Sequence, residues 1–279
     1  MSHLVAYEHW AGPGQLFRLN VQTAASRAPV LMTHGTFSTA ETMTPMAMAL
    51  AAAGHPVWII EWRGRKGRPG AFDFYDLAEG EITQALAAID EPAHLLAHSG
   101  GGLAMCFALL DPINRARVRS LTLLATQGTR LTEAPRLRYA GVRAMDLLGR
   151  VFGRWPRALT RIGPCDETAK LLSQWVTFNR ARRVSTRDGR DVFACLSALE
   201  LPVFALSGAA DLTIARPDGC RELAYAFGPR ARYHCCAAAT DGEDFTHARL
   251  IRSRAAAHHV WPRITAFLQE LELGPDSAS

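Results

Sequence analysis

A serine flanked by small residues is the part of this 279-residue chain with the clearest chemistry. The segment Ala97-His98-Ser99-Gly100-Gly101 follows a short apolar run and precedes a run compatible with a helix. Small residues two positions before and after the serine are the spacing of a nucleophile elbow, a sharp turn that strains the serine and exposes its hydroxyl. The pattern therefore predicts that Ser99 is the nucleophile of a serine hydrolase.

A serine hydroxyl needs a base that takes its proton, and that base needs an acid that holds its tautomer. Two later segments offer these groups. The apolar run at 203–207 is followed by Asp211, and the run at 233–237 is followed by a loop that ends in His247. The order serine, acid, histidine is that of the strand–turn–helix elbow enzymes. The sequence therefore predicts a Ser99–Asp211–His247 triad.

Other candidates for the base and the acid are less favourable. A carboxylate on the loop of the base itself rarely reaches behind the imidazole, which argues against Asp241 and Asp244 as partners of His247. We expect the remaining nearby histidines to pack, to face solvent or to line a pocket, namely His258 and His259 in a C-terminal helical segment and His98 beside the nucleophile.

The oxyanion that forms during acyl transfer needs two backbone N–H groups already aimed at it. Gly100, directly after the nucleophile, is expected to supply one. The loop after the predicted strand at 30–34 should supply the other, and it contains His34-Gly35-Thr36 followed by Phe37. Gly35 allows the backbone to turn, so the Thr36 N–H is the expected donor and the Phe37 N–H is the second choice. An ordinary glycine turn is the alternative interpretation.

The elements that must position these residues alternate along the chain. Strands are predicted at 15–21, 30–34, 57–62, 94–98, 118–126, 203–207 and 233–237, and helices at 42–53, 75–90, 102–110, 217–227 and 255–273. Most of the strands are rich in Val, Ile and Leu, as strands buried on both faces are. The alternation predicts an α/β fold with a mostly parallel sheet and helices on both faces.

Residues 128–200 interrupt this alternation. They contain helical patterns at 137–152 and 168–183 and no convincing strand, and they carry a net charge of +7 against −2 for the rest of the chain. One interpretation is recognition of an anionic acyl donor such as acyl-CoA, a carrier-bound acyl group or a lipid at an anionic surface. We favour the other interpretation, an arginine-rich solvated face, because runs of charge usually face solvent.

The chain resembles the α/β-hydrolase-fold serine hydrolases in motifs that span almost its whole length: His34-Gly35-Thr36, Trp62-Arg63-Gly64, 97–101, Asp211 and His247. The resemblance implies a hydrolase core formed by 1–127 and 201–279, with 128–200 as an inserted helical lid. The run 29–64 is similar to the acid-lipase and steryl-ester-hydrolase branch. Two departures are Ala97, where glycine is more common, and Glu61, where many members have aspartate nearby.

The implied activity is hydrolysis of carboxylic esters with small to medium apolar or lipid-like groups, through an acyl-enzyme and without a metal or organic cofactor. Dehalogenase and epoxide hydrolase chemistry is disfavoured, because this fold then has aspartate at the elbow. A thioesterase acting on acyl-CoA or carrier-bound acyl groups is an alternative, and a ligand-binding protein that keeps the fold is another. The expected partner is a small-molecule ester or thioester. Nucleic acid is not expected, since no recognised binding module is present.

Composition and cysteine content limit the remaining possibilities. The chain is 48% hydrophobic and 20% charged, which suits one large globular domain, and its apolar runs are too short to span a bilayer. The N-terminus lacks the pattern of a secretion signal, so we expect a cytoplasmic protein with at most transient membrane contact. The six cysteines include no CxxC pair, and we expect reduced thiols rather than disulfides or a zinc site.

Overall fold

The computed structural model describes residues 3–20, 27–65, 70–155, 157 and 163–273. Its strands are β1 (Leu4–Ala6), β2 (Gln15–Leu19), β3 (Val30–Thr33), β4 (Val57–Glu61), β5 (Ala93–His98), β6 (Val118–Leu124), β7 (Arg154–Trp155), β8 (Glu167–Thr168), β9 (Val203–Gly208) and β10 (Ala231–Cys236). Eight of them form one sheet in the order β1-β2-β4-β3-β5-β6-β9-β10. β1 and β2 are antiparallel to their neighbours, and the other strands are parallel. This is the predicted α/β architecture.

Helices cover both faces of the sheet. They are α1 (Thr44–Ala52), α2 (Phe74–Leu77), α3 (Thr83–Ala88), α4 (Gly100–Ala108), α5 (Pro112–Arg115), α6 (Arg136–Phe152), α7 (Ala169–Ala181), α8 (Val192–Leu196), α9 (Pro217–Tyr225), α10 (Ala238–Asp241), α11 (Arg249–Arg252), α12 (Arg254–His259) and α13 (Trp261–Leu273). A π-helical turn (Ala78–Ile82) joins α2 to α3. α4 contributes to one buried apolar cluster, and α1 and α13 contribute to a second.

The central strands are buried along their whole length, and this explains their composition. Every residue of β3, β5 and β9 is buried. Strands packed under helices on both faces have no solvent side, so they read as continuous apolar runs rather than as alternating ones. Because these strands are parallel, their carboxyl ends meet at one edge of the sheet. The loops that follow them therefore converge there.

The predicted elements outside 128–200 are present, with several differences. The predicted helix at 75–90 is divided into α2, the π-helical turn and α3, and the short helices α5, α10 and α11 were not predicted. The predicted helix at 255–273 is divided into α12 and α13, because Pro262 lacks an N–H and fits only the first turn of a new helix. β1 was not predicted, since it is a three-residue edge strand whose side chains are mostly exposed. Residue 21 of the predicted strand at 15–21 lies outside the described residues.

The segment 128–200 contains the predicted helices as α6 and α7, which pack on each other. The prediction that it has no strand is wrong, because β7 and β8 pair antiparallel over two residues each. Two residues are too few to show any hydrophobic period in a sequence. Among the described residues, no helix combines the length and the apolar character needed to cross a membrane.

Candidate active site

Ser99 stands at the turn between β5 and α4. Its φ of 54° and ψ of −128° are a strained combination for a residue with a side chain. Two contacts with the end of β6 hold this backbone: the Ser99 N–H donates to the Leu124 carbonyl at 2.8 Å, and the Thr126 hydroxyl donates to the Ser99 carbonyl at 3.0 Å. The predicted elbow is therefore present as a tight, supported turn.

Close packing around the elbow explains its glycines. A Cβ on Gly101 would lie 2.4 Å from the His34 carbonyl oxygen, and a Cβ on Gly35 would lie 2.7 Å from Ser99 Cβ. Both distances are shorter than van der Waals contact allows. Position 101 thus requires glycine, whereas the sequence analysis expects only a small side chain there. The loop after β3 packs directly against the turn that holds Ser99.

The structure brings Ser99, Asp211 and His247 together. His247 Nε2 lies 2.9 Å from Ser99 Oγ, and His247 Nδ1 lies 2.6 Å from Asp211 Oδ2. Asp211 follows β9 and His247 lies in the chain beyond β10, so the two side chains reach the elbow from neighbouring strands. With the proton on Nδ1 donated to the carboxylate, Nε2 is free to accept the serine proton.

The environment of Asp211 keeps this carboxylate ionised. Burial opposes the charge, but the hydrogen bonds from His247 and from the Ile214 N–H outweigh it and place the pKa of Asp211 below its usual value. A carboxylate that is charged at neutral pH fixes the imidazole orientation and stabilises the imidazolium that forms during proton transfer.

His98 supports the loop that carries His247. Its Nε2 lies 3.2 Å from the His247 carbonyl oxygen, and a carbonyl can only accept, so Nε2 holds the proton. Burial and the neighbouring His247 lower the pKa of His98 to about 3, which keeps the ring neutral. Its side chain lines the cavity in front of the serine, as the sequence analysis expects.

The other candidates for the acid and the base have different partners. Asp241 accepts hydrogen bonds from His234 at 2.9 Å and from Arg263 at 2.9 Å. Asp244 accepts the N–H of Ala238 at 2.9 Å. His258 and His259 are exposed on α12. Among the described contacts, none of these side chains touches the imidazole of His247.

The two residues expected to donate to the oxyanion lie at the cavity beside Ser99. Thr36 and Gly100 both line the cavity, and they are neighbours, since a Cβ on Gly100 would lie 3.0 Å from Thr36 Cγ2. Within the described part of the chain, neither N–H has a hydrogen-bond acceptor. The Phe37 N–H, in contrast, donates to Glu167 Oε2 at 3.0 Å. The Thr36 N–H, which the sequence analysis favours as the oxyanion donor, is therefore free, whereas the Phe37 N–H is already bonded.

Glu167 of the segment 128–200 forms a buried ion pair with Arg65, which follows β4, and also bonds to the loop after β3. Arg65 Nη2 lies 2.7 Å and Nη1 lies 3.2 Å from the two carboxylate oxygens of Glu167, and both side chains are almost fully buried. The same carboxylate accepts the N–H of Phe37, whose φ is 59°. Sequence reasoning missed both residues, because nothing in their local pattern separates them from the other charged residues of the chain.

The cavity in front of Ser99 has a volume of about 140 Å³ and a mainly apolar wall. The apolar side chains are Phe37, Phe74, Val142, Met145, Trp155, Leu172, Trp175, Val176, Ile214 and Ile251. Six of the ten belong to the segment 128–200. Ser99 is only 7% exposed, so the expectation of an exposed hydroxyl is wrong: the segment covers the elbow, and the hydroxyl faces the cavity.

A protein-family model described as the alpha/beta hydrolase family matches residues 30–272. The chain belongs to the α/β-hydrolase family. The predicted resemblance to the α/β-hydrolase fold, the fold class and the prediction of an enzyme are thereby confirmed, whereas the resemblance to the acid-lipase and steryl-ester-hydrolase branch stays a prediction. Small molecules are the substrates that the family implies.

Solved structures of other hydrolases share the fold. A candidate lipase from Acinetobacter baumannii AYE is 16% identical with a TM-score of 0.69, and the alignment covers 97% of this hydrolase and 93% of that chain. An esterase from Rhodococcus sp. ECU1013 is 16% identical with a TM-score of 0.59, covering 97% and 100%. A monoacylglycerol lipase from Paleococcus ferrophilus is 15% identical with a TM-score of 0.61, covering 87% and 95%. A search of curated protein sequences gives no match.

Proposed function

We propose that this hydrolase cleaves carboxylic esters with small to medium apolar acyl groups through an acyl-enzyme formed on Ser99. One observation carries the proposal: the chain of contacts from Ser99 Oγ through the His247 imidazole to Asp211, at 2.9 and 2.6 Å, opens onto an apolar cavity. An activated hydroxyl beside an apolar cavity suits attack on an ester whose acyl group is apolar.

In the proposed mechanism, His247 Nε2 accepts the Ser99 proton as Oγ attacks the ester carbonyl. Asp211 stabilises the resulting imidazolium, and the N–H groups of Thr36 and Gly100 donate to the oxyanion. The imidazolium then protonates the departing alkoxide, which leaves as an alcohol. Water, deprotonated by the same imidazole, attacks the acyl-enzyme; the carboxylic acid is released and Ser99 regains its proton.

We further propose that 128–200 acts as a helical lid on a core formed by 1–127 and 201–279. It supplies six of the ten large apolar side chains of the cavity wall, and Ser99 beneath it is almost inaccessible to solvent. The segment is also tied to the core by ion pairs, since Lys170 and Arg187 both contact Asp76. A cover of this kind keeps water from the acyl group until a substrate enters.

The charge distribution favours an ester over an anionic thioester. Many arginines of 128–200 have acidic partners: Arg130–Glu222, Arg150–Asp146, Arg154–Asp166, Arg182–Glu133, Arg183–Asp191, Arg187–Asp76 and Arg190–Asp188. Among the described cavity-lining residues, the single arginine or lysine is the exposed Arg252. The wall therefore offers little to bind the phosphates of an acyl-CoA.

A series of p-nitrophenyl esters of increasing acyl length tests the proposal. We expect turnover of short and medium chains, and Ser99→Ala should lower kcat/KM by about 10³-fold or more. Ser197→Ala, which changes an exposed serine on the segment after α8, is the matched control and should keep full activity. Undiminished hydrolysis by Ser99→Ala would contradict the proposal.

A second comparison separates esters from thioesters. The wild type is given an acyl-CoA and a neutral ester of the same acyl chain at low and high salt. We expect the neutral ester to be preferred at every salt concentration. A preference for the acyl-CoA that disappears as salt rises would show that cations outside the cavity bind the CoA phosphates, and the substrate class would then be wrong.

A further inference from the structure

Helix α6 carries apolar side chains both toward the cavity and toward solvent. Val142 and Met145 point to the cavity, whereas the outer side presents large apolar groups to solvent: Leu137 is 86% exposed, Leu147 65%, Leu148 52%, Val151 73% and Phe152 61%. At 3.6 residues per turn these five side chains fall in one stripe along the 17-residue helix. Half of the large exposed apolar residues of the described chain are gathered here.

Arginines flank this stripe. Arg136, Arg143 and Arg150 are spaced by seven residues, which is close to two helical turns, so they lie along one side of α6. Arg143 and Arg150 line a groove of about 330 Å³ together with Arg180 of α7, and Leu147 of the apolar stripe forms part of its wall. Three arginines thus line one groove beside exposed apolar side chains.

The groove has almost no opposing negative charge. Its single acid is Asp146, which is buried and already bonded to Arg150 at 3.0 Å and to Ser173 at 2.6 Å. Among the described residues, Arg143 and Arg180 have no carboxylate partner. Several other arginines of 128–200 are paired with acids, whereas the N–H groups of Arg143 and Arg180 can donate to a bound anion.

We propose that the outer face of α6, with its arginine groove, docks on an anionic phospholipid surface. An apolar stripe flanked by arginines is the pattern of a helix that lies in the membrane interface, with apolar side chains in the acyl boundary and guanidinium groups on phosphates. A second copy of this chain is the less suitable occupant. A two-fold contact through this face would set its arginines near those of the partner copy.

The test is co-sedimentation of the full chain with vesicles of phosphatidylcholine alone or mixed with phosphatidylglycerol. We compare the wild type with Arg143→Gln/Arg180→Gln and with Leu147→Ser/Val151→Ser. Two controls make matched changes elsewhere: Arg190→Gln/Arg249→Gln removes the same charge from exposed arginines, and Ile113→Ser/Leu273→Ser removes two exposed apolar side chains.

We expect binding to the anionic vesicles that weakens as salt rises. Each arginine near an anionic surface changes partitioning by about fivefold, so the double arginine variant should bind about 30-fold more weakly. The apolar variant should also lose binding, the controls should bind like the wild type, and all should hydrolyse a soluble ester at the same rate. The ester readout keeps this proposal separate from the proposed function.

Three results would overturn the proposal. The wild type could bind anionic vesicles no better than neutral ones. The charge control could lose as much binding as Arg143→Gln/Arg180→Gln, which would make net charge rather than this groove the cause. Size-exclusion chromatography could also show a dimer that Leu147→Ser/Val151→Ser abolishes, in which case a second copy covers the face.

Discussion

Replacing Glu167 by alanine tests the link between the segment 128–200 and the oxyanion loop. The substitution leaves the guanidinium of Arg65, whose side chain is 1% exposed, without its counter-charge, and it removes the acceptor of the Phe37 N–H. Removing one partner of a buried ion pair leaves an uncompensated charge in the interior and costs about 3–5 kcal/mol. We expect Glu167→Ala to lower the free energy of unfolding by this amount.

The folded fraction of Glu167→Ala should also be less active. Phe37 directly follows Thr36 and is held at a φ of 59°, so loss of its hydrogen bond should let the loop relax and turn the Thr36 N–H away. An oxyanion donor acts on the transition state, so kcat should fall and KM should change little. Glu167→Gln keeps an acceptor for the N–H and should recover part of kcat.

Denaturant unfolding followed by tryptophan fluorescence measures the free energy of unfolding of each variant. The double variant Arg65→Met/Glu167→Leu replaces the pair by apolar side chains and should be far less destabilised than the sum of the single variants. Glu270→Ala breaks the exposed pair with Arg232 and should cost less than about 1 kcal/mol. A cost below about 1 kcal/mol for Glu167→Ala, or single costs that simply add in the double variant, would refute this reasoning.

Three further substitutions give independent tests. Gly35→Ala places a Cβ 2.7 Å from Ser99 Cβ and should lower kcat/KM by about 10²-fold, whereas Gly141→Ala, with no atom within 4 Å of its Cβ, should keep activity. Asp211→Asn favours the wrong imidazole tautomer and should lower kcat at neutral pH by about 10⁴-fold; a loss below about tenfold would contradict the triad. His98 has a pKa of about 3 when folded and about 6.5 when unfolded, so the unfolded chain binds more protons between these values and stability falls as pH falls. From pH 7 to 5, His98 should lower the free energy of unfolding by about 2 kcal/mol. Unfolding experiments on His98→Gln at the two pH values should not show this decrease.

The sequence predicts those parts of the fold and site that depend on local pattern. The buried strands β3, β5 and β9 appear as apolar runs, and the elbow around Ser99 has a fixed spacing of small residues. Asp211 and His247 follow from chain order once the elbow is recognised. The break before α13 could also have been predicted, because Pro262 marks the first turn of a helix.

The remaining features depend on packing between distant segments. Arg65 and Glu167 are 102 positions apart, and only the fold shows that both lose contact with solvent. Burial of Ser99 likewise depends on how 128–200 lies over the core. The sequence of α6 has apolar residues on most sides, and it cannot tell that the side with Leu137 is uncovered while the side with Met145 faces the cavity.

Covalent labelling with a fluorophosphonate, followed by intact-mass measurement and peptide mapping, tests the central claim most directly. The proposed triad predicts one adduct per chain, located on Ser99, with loss of ester hydrolysis in proportion to labelling. Asp211→Asn should label more slowly and Ser99→Ala should not label. Absence of labelling in the folded wild type, an adduct on another residue, or full activity after complete labelling would contradict the account.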